Sequence, residues 1–284
     1  NCTQKILRNS DLWSMNAIRT RVLHLIRHAE SEFNVLANHQ IEGFVPIVKK
    51  LDADLTPEGF AQAHRLRESI AHDVVNGYPP EHPLAPRNAQ IVITSPLSRA
   101  ILTAAYSLPF RQYRYVIRPE ISEQVENTTD IPVSKEELKQ KFPDLDSQIS
   151  ALPDCWWYRH PKYRQTDAAM FGPQHDAELL HSFNGEEPAA ESKQSVRRRV
   201  QWFFKWLYTE PQLQYDNIAV VSHSCTIYEM ERYLRGIPEH VQHAEQLSMT
   251  KNTEVRSFEL MENLIVLPSE YSQHEPHLWR NFDG

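Results

Sequence analysis

An arginine, a histidine and an asparagine follow one short apolar run near the start of the chain. The run covers residues 22–26, Arg27 and His28 come directly after it, and Asn34 lies six residues beyond the histidine. Runs of branched apolar residues are typical of buried strands, and open α/β sheets bind ligands at the carboxyl ends of their strands. These residues therefore predict an anion-binding site with a histidine that could act as a nucleophile.

Three further predicted strands also end in residues that can bind or protonate a ligand. Strand 90–94 leads to Arg99, strand 113–118 leads to a cluster of glutamates, and strand 217–221 leads to His223. Because these strands alternate with predicted helices, they should form a mainly parallel sheet, and their carboxyl ends should meet at one edge. We therefore expect the four groups to converge on one cleft.

The elements between these strands have the signals of helices. Thr56 can cap a helix whose first residue is a proline, and Ser95 is expected to cap a second helix that begins at Pro96. The clearest apolar periodicity covers 191–208, and the arginine run 197–199 is interpreted as the solvated face of that helix. Two further helices are predicted at 134–142 and before Arg235. The pattern predicts an α/β fold, a three-layer αβα sandwich with a mainly parallel sheet.

The outer parts of the chain are predicted to be less regular. Residues 20–267 are interpreted as a single domain, with an irregular excursion at about 144–188 and edge strands at 255–260 and 264–267. Residues 1–19 are expected to form an N-terminal extension and 268–284 a C-terminal arm.

Composition excludes several classes of function. A formal net charge of −7 argues against a nucleic-acid partner, and the apolar runs are too short to span a membrane. The seven glycines are placed so that neither a dinucleotide-binding nor a nucleoside-triphosphate fingerprint can be formed. Three scattered cysteines favour a reducing compartment, so we expect a cytoplasmic location.

The expected set of pocket residues suits a phosphate dianion. Guanidinium groups match phosphate oxygens and stay charged, and phosphoryl transfer depends mainly on position and on compensating charge. A neutral imidazole could attack phosphorus, while a carboxylic acid could protonate the leaving oxygen and then activate water. Three glutamates follow the third strand, and any of Glu120, Glu123 and Glu126 could face the pocket.

Four ordered motifs resemble those of the histidine phosphatase superfamily, in its phosphoglycerate mutase-like branch. The hallmark Arg-His-x-Glu-Ser-x-x-Asn is met by residues 27–34, and the resemblance extends over about 20–235. The other matches are Leu55-Thr56-Pro57-Glu58-Gly59 with Gln62-Ala63, Thr94-Ser95-Pro96-Leu97-Ser98-Arg99-Ala100 with Thr103-Ala104, and Val221-Ser222-His223. A eukaryotic subgroup of uncertain substrate is also similar, through Ile121-Ser122-Glu123-Gln124, Thr129-Asp130 and Lys141-Phe142-Pro143-Asp144-Leu145-Asp146.

The resemblance implies a phosphoglycerate mutase-like fold and a role for each motif residue. His28 would be the phosphorylated nucleophile and Glu123 the acid and base. Arg27, Asn34, Arg99 and His223 would bind the transferred phosphoryl group, with His223 counted among the catalytic residues as well. The family's usual glycine after the nucleophile is Ala29 here, and its usual His-Gly is His223-Ser224. No metal or cofactor is expected; the partners are a small phosphate ester as substrate and phosphate as product, and the oligomeric state is undetermined.

The sequence leaves three alternatives to a phosphohistidine phosphatase. The first is a mutase. The mutases resemble this chain less than the phosphatases do, because their Glu-Arg-His-Tyr-Gly segment is absent around Glu123. A catalytically weak phosphate-recognition module would use the same pocket. The run Asp52-Ala53-Asp54-Leu55-Thr56 matches the signature of magnesium-dependent aspartyl phosphatases, but lysines interrupt the strand that this signature requires before it. Cys225 is expected to be a small buried residue. Trp156 and Trp157 are expected in the core, with a lid over the substrate as the alternative.

Overall fold

The structure is a computed structural model in which only part of the chain is described. The described residues are 21–38, 51–153, 156–157, 191–209, 215–238, 241 and 247–260. The predicted N-terminal extension, the edge strand at 264–267, the C-terminal arm and most of the excursion 144–188 lie outside these residues. The first part of that excursion is helical over Asp146–Ala151.

A five-stranded sheet forms the centre of the fold. Its strands lie in the order β3-β2-β4-β1-β5. The pairs β1/β4, β4/β2 and β2/β3 are parallel, whereas β5 pairs with β1 in the antiparallel direction and forms one edge. The prediction of a mainly parallel sheet is therefore confirmed. The strands are β1 (Arg21–Arg27), β2 (Ile91–Thr94), β3 (Arg114–Ile117), β4 (Asn217–Ser222) and β5 (Val255–Leu260).

Helices cover both faces of the sheet, as the sandwich prediction requires. Side chains alternate across a strand, so Leu25 of β1 belongs to one apolar cluster and Ile26 to the other. One cluster packs under α2 and α3 and the other under α6 and α7. The helices are α1 (Glu32–Asn38), α2 (Pro57–His72), α3 (Ser98–Ser107), α4 (Lys135–Lys141), α5 (Asp146–Ala151), α6 (Lys193–Thr209) and α7 (Ser224–Leu234).

The two predicted helix caps have different outcomes. The Thr56 hydroxyl accepts a hydrogen bond from the Gly59 N–H at 2.9 Å, as predicted for the start of α2. The prediction that Ser95 caps the next helix is wrong, because α3 begins at Ser98. The Asp52 carboxylate, distant in sequence, instead accepts bonds from the Ser98 N–H at 2.8 Å and its hydroxyl at 2.7 Å. A carboxylate at this end of a helix satisfies free N–H groups and the helix dipole.

The arginine run on α6 is not a purely solvated face. Arg199 is 4% exposed, so the prediction of solvation is wrong for this residue. It lies one helical turn from the buried Val196 and Phe203, on the apolar side of the helix. Trp156 and Trp157 are both buried in a core cluster, as predicted. Among the described residues, no helix is sufficiently long and apolar to cross a membrane.

Candidate active site

One cavity of about 180 Å³ lies at the carboxyl edge of the sheet and contains most of the predicted site residues. They come from the end of β1, the start of α1, the start of α3 and the segment after β3. The lining residues are Arg27, His28, Ser31, Phe33, Asn34, Arg99, Glu123, Glu126, Asn127, Asp130, Ser224 and Cys225. The structure thus brings together five of the six predicted residues, and the sixth, His223, lies behind this wall.

The His28 ring is held in one orientation by its own backbone. Its Nδ1 lies 2.7 Å from the Ala29 carbonyl oxygen. Since a carbonyl can only accept, Nδ1 must carry the proton. In the neutral ring the lone pair is then on Nε2. His28 is 3% exposed and lines the cavity, so a nucleophilic nitrogen is available at a site largely shielded from water.

The loop after His28 is fixed by residues of the second and third sequence motifs. The Ala29 N–H donates to the Thr103 hydroxyl at 2.9 Å, and the Glu30 N–H donates to the Gln62 side-chain oxygen at 2.8 Å. Gly59 lies so close to this loop that a Cβ there would clash with the Glu30 carbonyl oxygen. The motifs around Gln62 and Thr103 therefore shape the backbone that carries the nucleophile.

Both arginines are anchored by groups of the protein at the cavity wall. Arg27 donates from Nη1 to the Thr250 carbonyl at 2.6 Å. Arg99 donates from Nη1 to the Thr129 carbonyl and from Nη2 to Asp130 Oδ1, both at 2.8 Å. Two of the five guanidinium N–H donors of Arg99 are thereby used to fix its position. Neither guanidinium has to be ordered when an anion binds, which lowers the entropic cost of binding.

Asn34 is linked to the turn that precedes β5. Its side-chain oxygen accepts from the Ser31 N–H at 3.1 Å and from Asn252 Nδ2 at 3.2 Å. Asn252 Nδ2 also donates to the His28 carbonyl at 2.9 Å. Asn252 therefore connects the nucleophile's backbone to the predicted phosphate-binding asparagine.

The three candidate glutamates occupy different places. Glu120 is 3% exposed and forms an ion pair with Arg118, in which Nε donates to Oε2 at 2.9 Å. Glu126 lines the cavity but is exposed. Glu123 lines the cavity, and its Oε1 accepts from the Gln124 N–H at 2.9 Å. Glu123 is thus the less exposed of the two glutamates that line the cavity.

His223 is fully buried against the nucleophile. Its ring centroid lies 5.0 Å from that of His28, and its Nε2 is 2.8 Å from the Ser95 hydroxyl oxygen. Ser95, the residue predicted to cap a helix, thus orients this second histidine instead. The phosphate-binding role predicted for His223 stays a prediction.

The sequence model of the histidine phosphatase superfamily (branch 1) matches residues 23–268, most of the chain. The chain belongs to the histidine phosphatase superfamily. A search of curated proteins finds no match.

Solved structures of three phosphatases are similar to this superfamily member. The α-ribazole phosphatase of Shigella flexneri is 24% identical, with 76% of this chain and 81% of that chain covered and a TM-score of 0.41. A mycobacterial glucosyl-3-phosphoglycerate phosphatase is 15% identical, with 84% of this chain and 90% of that chain covered and a TM-score of 0.47. A mutant phosphoserine phosphatase of Entamoeba histolytica, in complex with phosphoserine, is 20% identical, with 85% of this chain and 94% of that chain covered and a TM-score of 0.44.

Burial and nearby charge set the protonation of the cavity of this superfamily member. Burial, followed by the positive charges of Arg99 and Arg27, holds the pKa of His28 well below its ordinary value. Burial, followed by the Asp130 carboxylate, raises the pKa of Glu123 to about 7. The lowered pKa of His28 favours the neutral imidazole, and the raised pKa of Glu123 favours the protonated carboxyl group below about pH 7. These are the states needed for nucleophilic attack and acid catalysis.

The residues that an aspartyl phosphatase or a cysteine phosphatase would need are not placed or charged for that chemistry. Asp52 caps α3, and Asp54 forms an ion pair with Lys141, so neither aspartate lines the cavity. Cys225 is half-buried and lines the cavity, so the prediction that it is a buried residue is wrong. Desolvation raises the pKa of its thiol, which disfavours the thiolate needed for attack. No group of three or more metal-ligating side chains is found within the described part of the chain.

Sequence reasoning missed several residues that position the site. They are Asp52, Ser95, Asp130 as the partner of Arg99, Glu191, Arg199, Thr250 and Asn252. Arg199 offered a detectable signal, because it falls on the apolar stripe of its helix. The contact between Asn252 and His28 joins residues 224 positions apart, and no local pattern indicates it.

Proposed function

We propose that this protein is a phosphomonoesterase that hydrolyses a small phosphate ester through a phosphohistidine at His28. The observation that carries the proposal is the hydrogen bond from His28 Nδ1 to the Ala29 carbonyl, which leaves the lone pair on Nε2. In the same cavity are two guanidinium groups that can stabilise the charge of a transferring phosphoryl group. We include Asn34 and His223 in the phosphoryl-binding set.

The proposed reaction has two steps. In the first, His28 Nε2 forms a bond to phosphorus as the ester P–O bond breaks, and Glu123 gives its proton to the leaving oxygen. In the second, the Glu123 carboxylate takes a proton from water, whose oxygen attacks phosphorus while the N–P bond breaks. Phosphate leaves, Glu123 is protonated again, and His28 returns to its neutral form.

Hydrolysis is favoured over a mutase reaction for this chain. The chain around Glu123 lacks the segment typical of the mutases, and water is the acceptor that needs no second sugar-acid site. We also propose that the protein belongs to the eukaryotic phosphoglycerate mutase-like subgroup. We further propose that it needs no metal and that it is located in the cytoplasm. The substrate is a phosphate ester of a class that the phosphate-proximal residues leave open.

The proposal is tested by hydrolysis of 4-nitrophenyl phosphate by the purified full chain. We expect steady turnover that is unchanged by EDTA and unchanged by added Mg²⁺, because every catalytic group in the proposed reaction is a side chain of the protein. An activity that requires Mg²⁺, or tight phosphate binding without turnover of any ester in a substrate panel, would contradict the proposal.

A variant separates this chemistry from that of an aspartyl phosphatase. Asp54→Asn should retain wild-type turnover, because Asp54 pairs with Lys141 at the surface and lies away from the cavity. The aspartyl phosphatase alternative requires the second aspartate of its signature, and it predicts a severe loss of turnover for the same variant.

A further inference from the structure

Residues 120–125, which we call the glutamate loop, connect β3 to the cavity and contain Glu123. Four consecutive carbonyl groups of this loop accept hydrogen bonds from side chains. The Ile121 carbonyl accepts from the Ser222 hydroxyl at 2.7 Å, and the Ser122 carbonyl accepts from the Thr226 hydroxyl at 2.6 Å. The other donor is Arg199, which bonds to the carbonyls of Glu120, Ser122 and Glu123.

Arg199 bonds to the loop without lining the cavity. Its Nη1 donates to the carbonyls of Glu120 at 2.7 Å and Ser122 at 3.1 Å, and its Nη2 donates to that of Glu123 at 3.3 Å. It is 4% exposed and absent from the cavity wall. Arg199 therefore has no access to a bound substrate and acts on the site through the backbone that carries Glu123.

Glu191 completes this arrangement from the segment just before α6. Its carboxylate accepts two parallel bonds from Arg199, from Nε and Nη2, both at 2.8 Å. The backbone of Glu191 also pairs with the loop: its N–H donates to the Val125 carbonyl at 2.7 Å, and its carbonyl accepts from the Gln124 side chain at 2.7 Å. A two-bond pair of this kind fixes the plane and direction of the guanidinium group.

We propose that Arg199, oriented by Glu191, is a positioning residue that holds the Glu123 carboxyl group where it can protonate the leaving oxygen. This inference rests on the proposed function, because it concerns the same acid. A guanidinium fork is needed for the task, since it reaches three carbonyls and one carboxylate at once. A lysine ammonium is a point charge and cannot span these acceptors.

The test is the dependence of kcat/KM on the leaving group, for Arg199→Lys and wild type. For both proteins kcat/KM is measured with 4-nitrophenyl phosphate, phenyl phosphate and an alkyl phosphate. This parameter covers steps up to formation of the phosphoenzyme, where the leaving oxygen is protonated. We expect the variant to lose about 10²-fold on the alkyl ester and under about fivefold on 4-nitrophenyl phosphate, whose leaving group needs little protonation.

Controls separate positioning from a general loss of structure. Arg197→Lys changes an arginine two positions earlier that pairs with Glu229 of α7, and it should keep the wild-type leaving-group dependence. Glu191→Gln is the second variant, because a lysine in place of a buried paired arginine could unfold the protein. It retains side-chain volume and should show the same selective loss, to a smaller extent.

The outcomes distinguish this inference from the proposed function. If wild type hydrolyses all three esters, and the folded variants lose activity equally on each ester or not at all, the positioning role is wrong and the phosphatase proposal stands. If wild type hydrolyses none of them, the proposed function itself fails. A selective loss on poor leaving groups in Arg199→Lys or in Glu191→Gln, without one in Arg197→Lys, supports the inference.

Discussion

Replacing His28 with alanine is expected to reduce phosphate release from 4-nitrophenyl phosphate by at least about 10⁴-fold. The side chain that would be lost supplies the nitrogen that forms the bond to phosphorus, and the described cavity has no other neutral imidazole on its wall. The remaining arginines could still bind the phosphoryl group, so the loss should appear in kcat. The measurement is a steady-state phosphate assay on folded protein, with the thermal midpoint recorded for each variant.

A histidine on the surface supplies the matched control for this substitution. The His72 side chain is 74% exposed at the end of α2 and belongs to none of the four sequence motifs. His72→Ala should retain wild-type turnover. Activity of His28→Ala within about tenfold of wild type would contradict a covalent role for His28.

Replacing Glu123 with glutamine is expected to lower kcat/KM for an alkyl phosphate by about 10²- to 10⁴-fold. Glutamine has nearly the same shape and can occupy the same place, but it has no proton to give to the leaving oxygen. The loss on 4-nitrophenyl phosphate should be much smaller, because 4-nitrophenolate leaves without protonation. The measurement compares the two esters under identical conditions.

The pH dependence of the wild-type enzyme follows from the same carboxyl group. Burial and the Asp130 carboxylate raise the pKa of Glu123 to about 7. The acid is therefore protonated and active below that pH, and it loses its proton as the pH rises through about 7. We expect kcat/KM for the alkyl ester to fall over this range, and we expect this fall to be absent in Glu123→Gln.

A neighbouring glutamate provides the control for the assignment. Glu126 lines the same cavity but is exposed, so Glu126→Gln should retain most of the activity on both esters and keep the alkaline fall. If Glu126→Gln instead shows the selective loss on the alkyl ester and Glu123→Gln does not, Glu126 is the acid. That result would reject Glu123 and leave the role of His28 unaffected.

The sheet and the convergence of its strand ends could be predicted because both depend on local patterns. Apolar runs marked β1, β2, β3 and β4, and parallel pairing brings their carboxyl ends to one edge. Arg27, His28 and Arg99 lie directly at or just beyond those ends, so their positions follow from the topology. Glu123 lies in a loop, and only its contacts show that it lines the cavity while Glu120 turns to Arg118.

The network that holds these residues in place could not be predicted from local patterns. Ser95 resembled a helix cap, but its hydroxyl is close to His223, and Asp52 caps the helix from a different loop. Membership in a run of three arginines predicts a solvated position for Arg199. Charge runs usually indicate solvent, but one member of this run falls on the apolar stripe and is buried with a partner.

The buried pair between Arg99 and Asp130 illustrates how the cavity balances its charges. Asp130 fixes the Arg99 guanidinium through one oxygen, and its other oxygen accepts from the N–H groups of Glu126 and Asn127. The same carboxylate helps to raise the pKa of Glu123. One buried anion thus orients a cation expected to bind phosphate and favours the protonated form of the expected acid.

The central claim is tested most directly by trapping the phosphoenzyme. The wild-type protein is mixed briefly with excess 4-nitrophenyl phosphate and denatured at alkaline pH, where phosphohistidine survives, and its peptides are analysed by mass spectrometry. The account predicts phosphate on the peptide that contains His28, with none on the corresponding peptide of His28→Ala. Phosphate found on a residue other than His28, or rapid turnover with no phosphorylated histidine at any time of quenching, would contradict it.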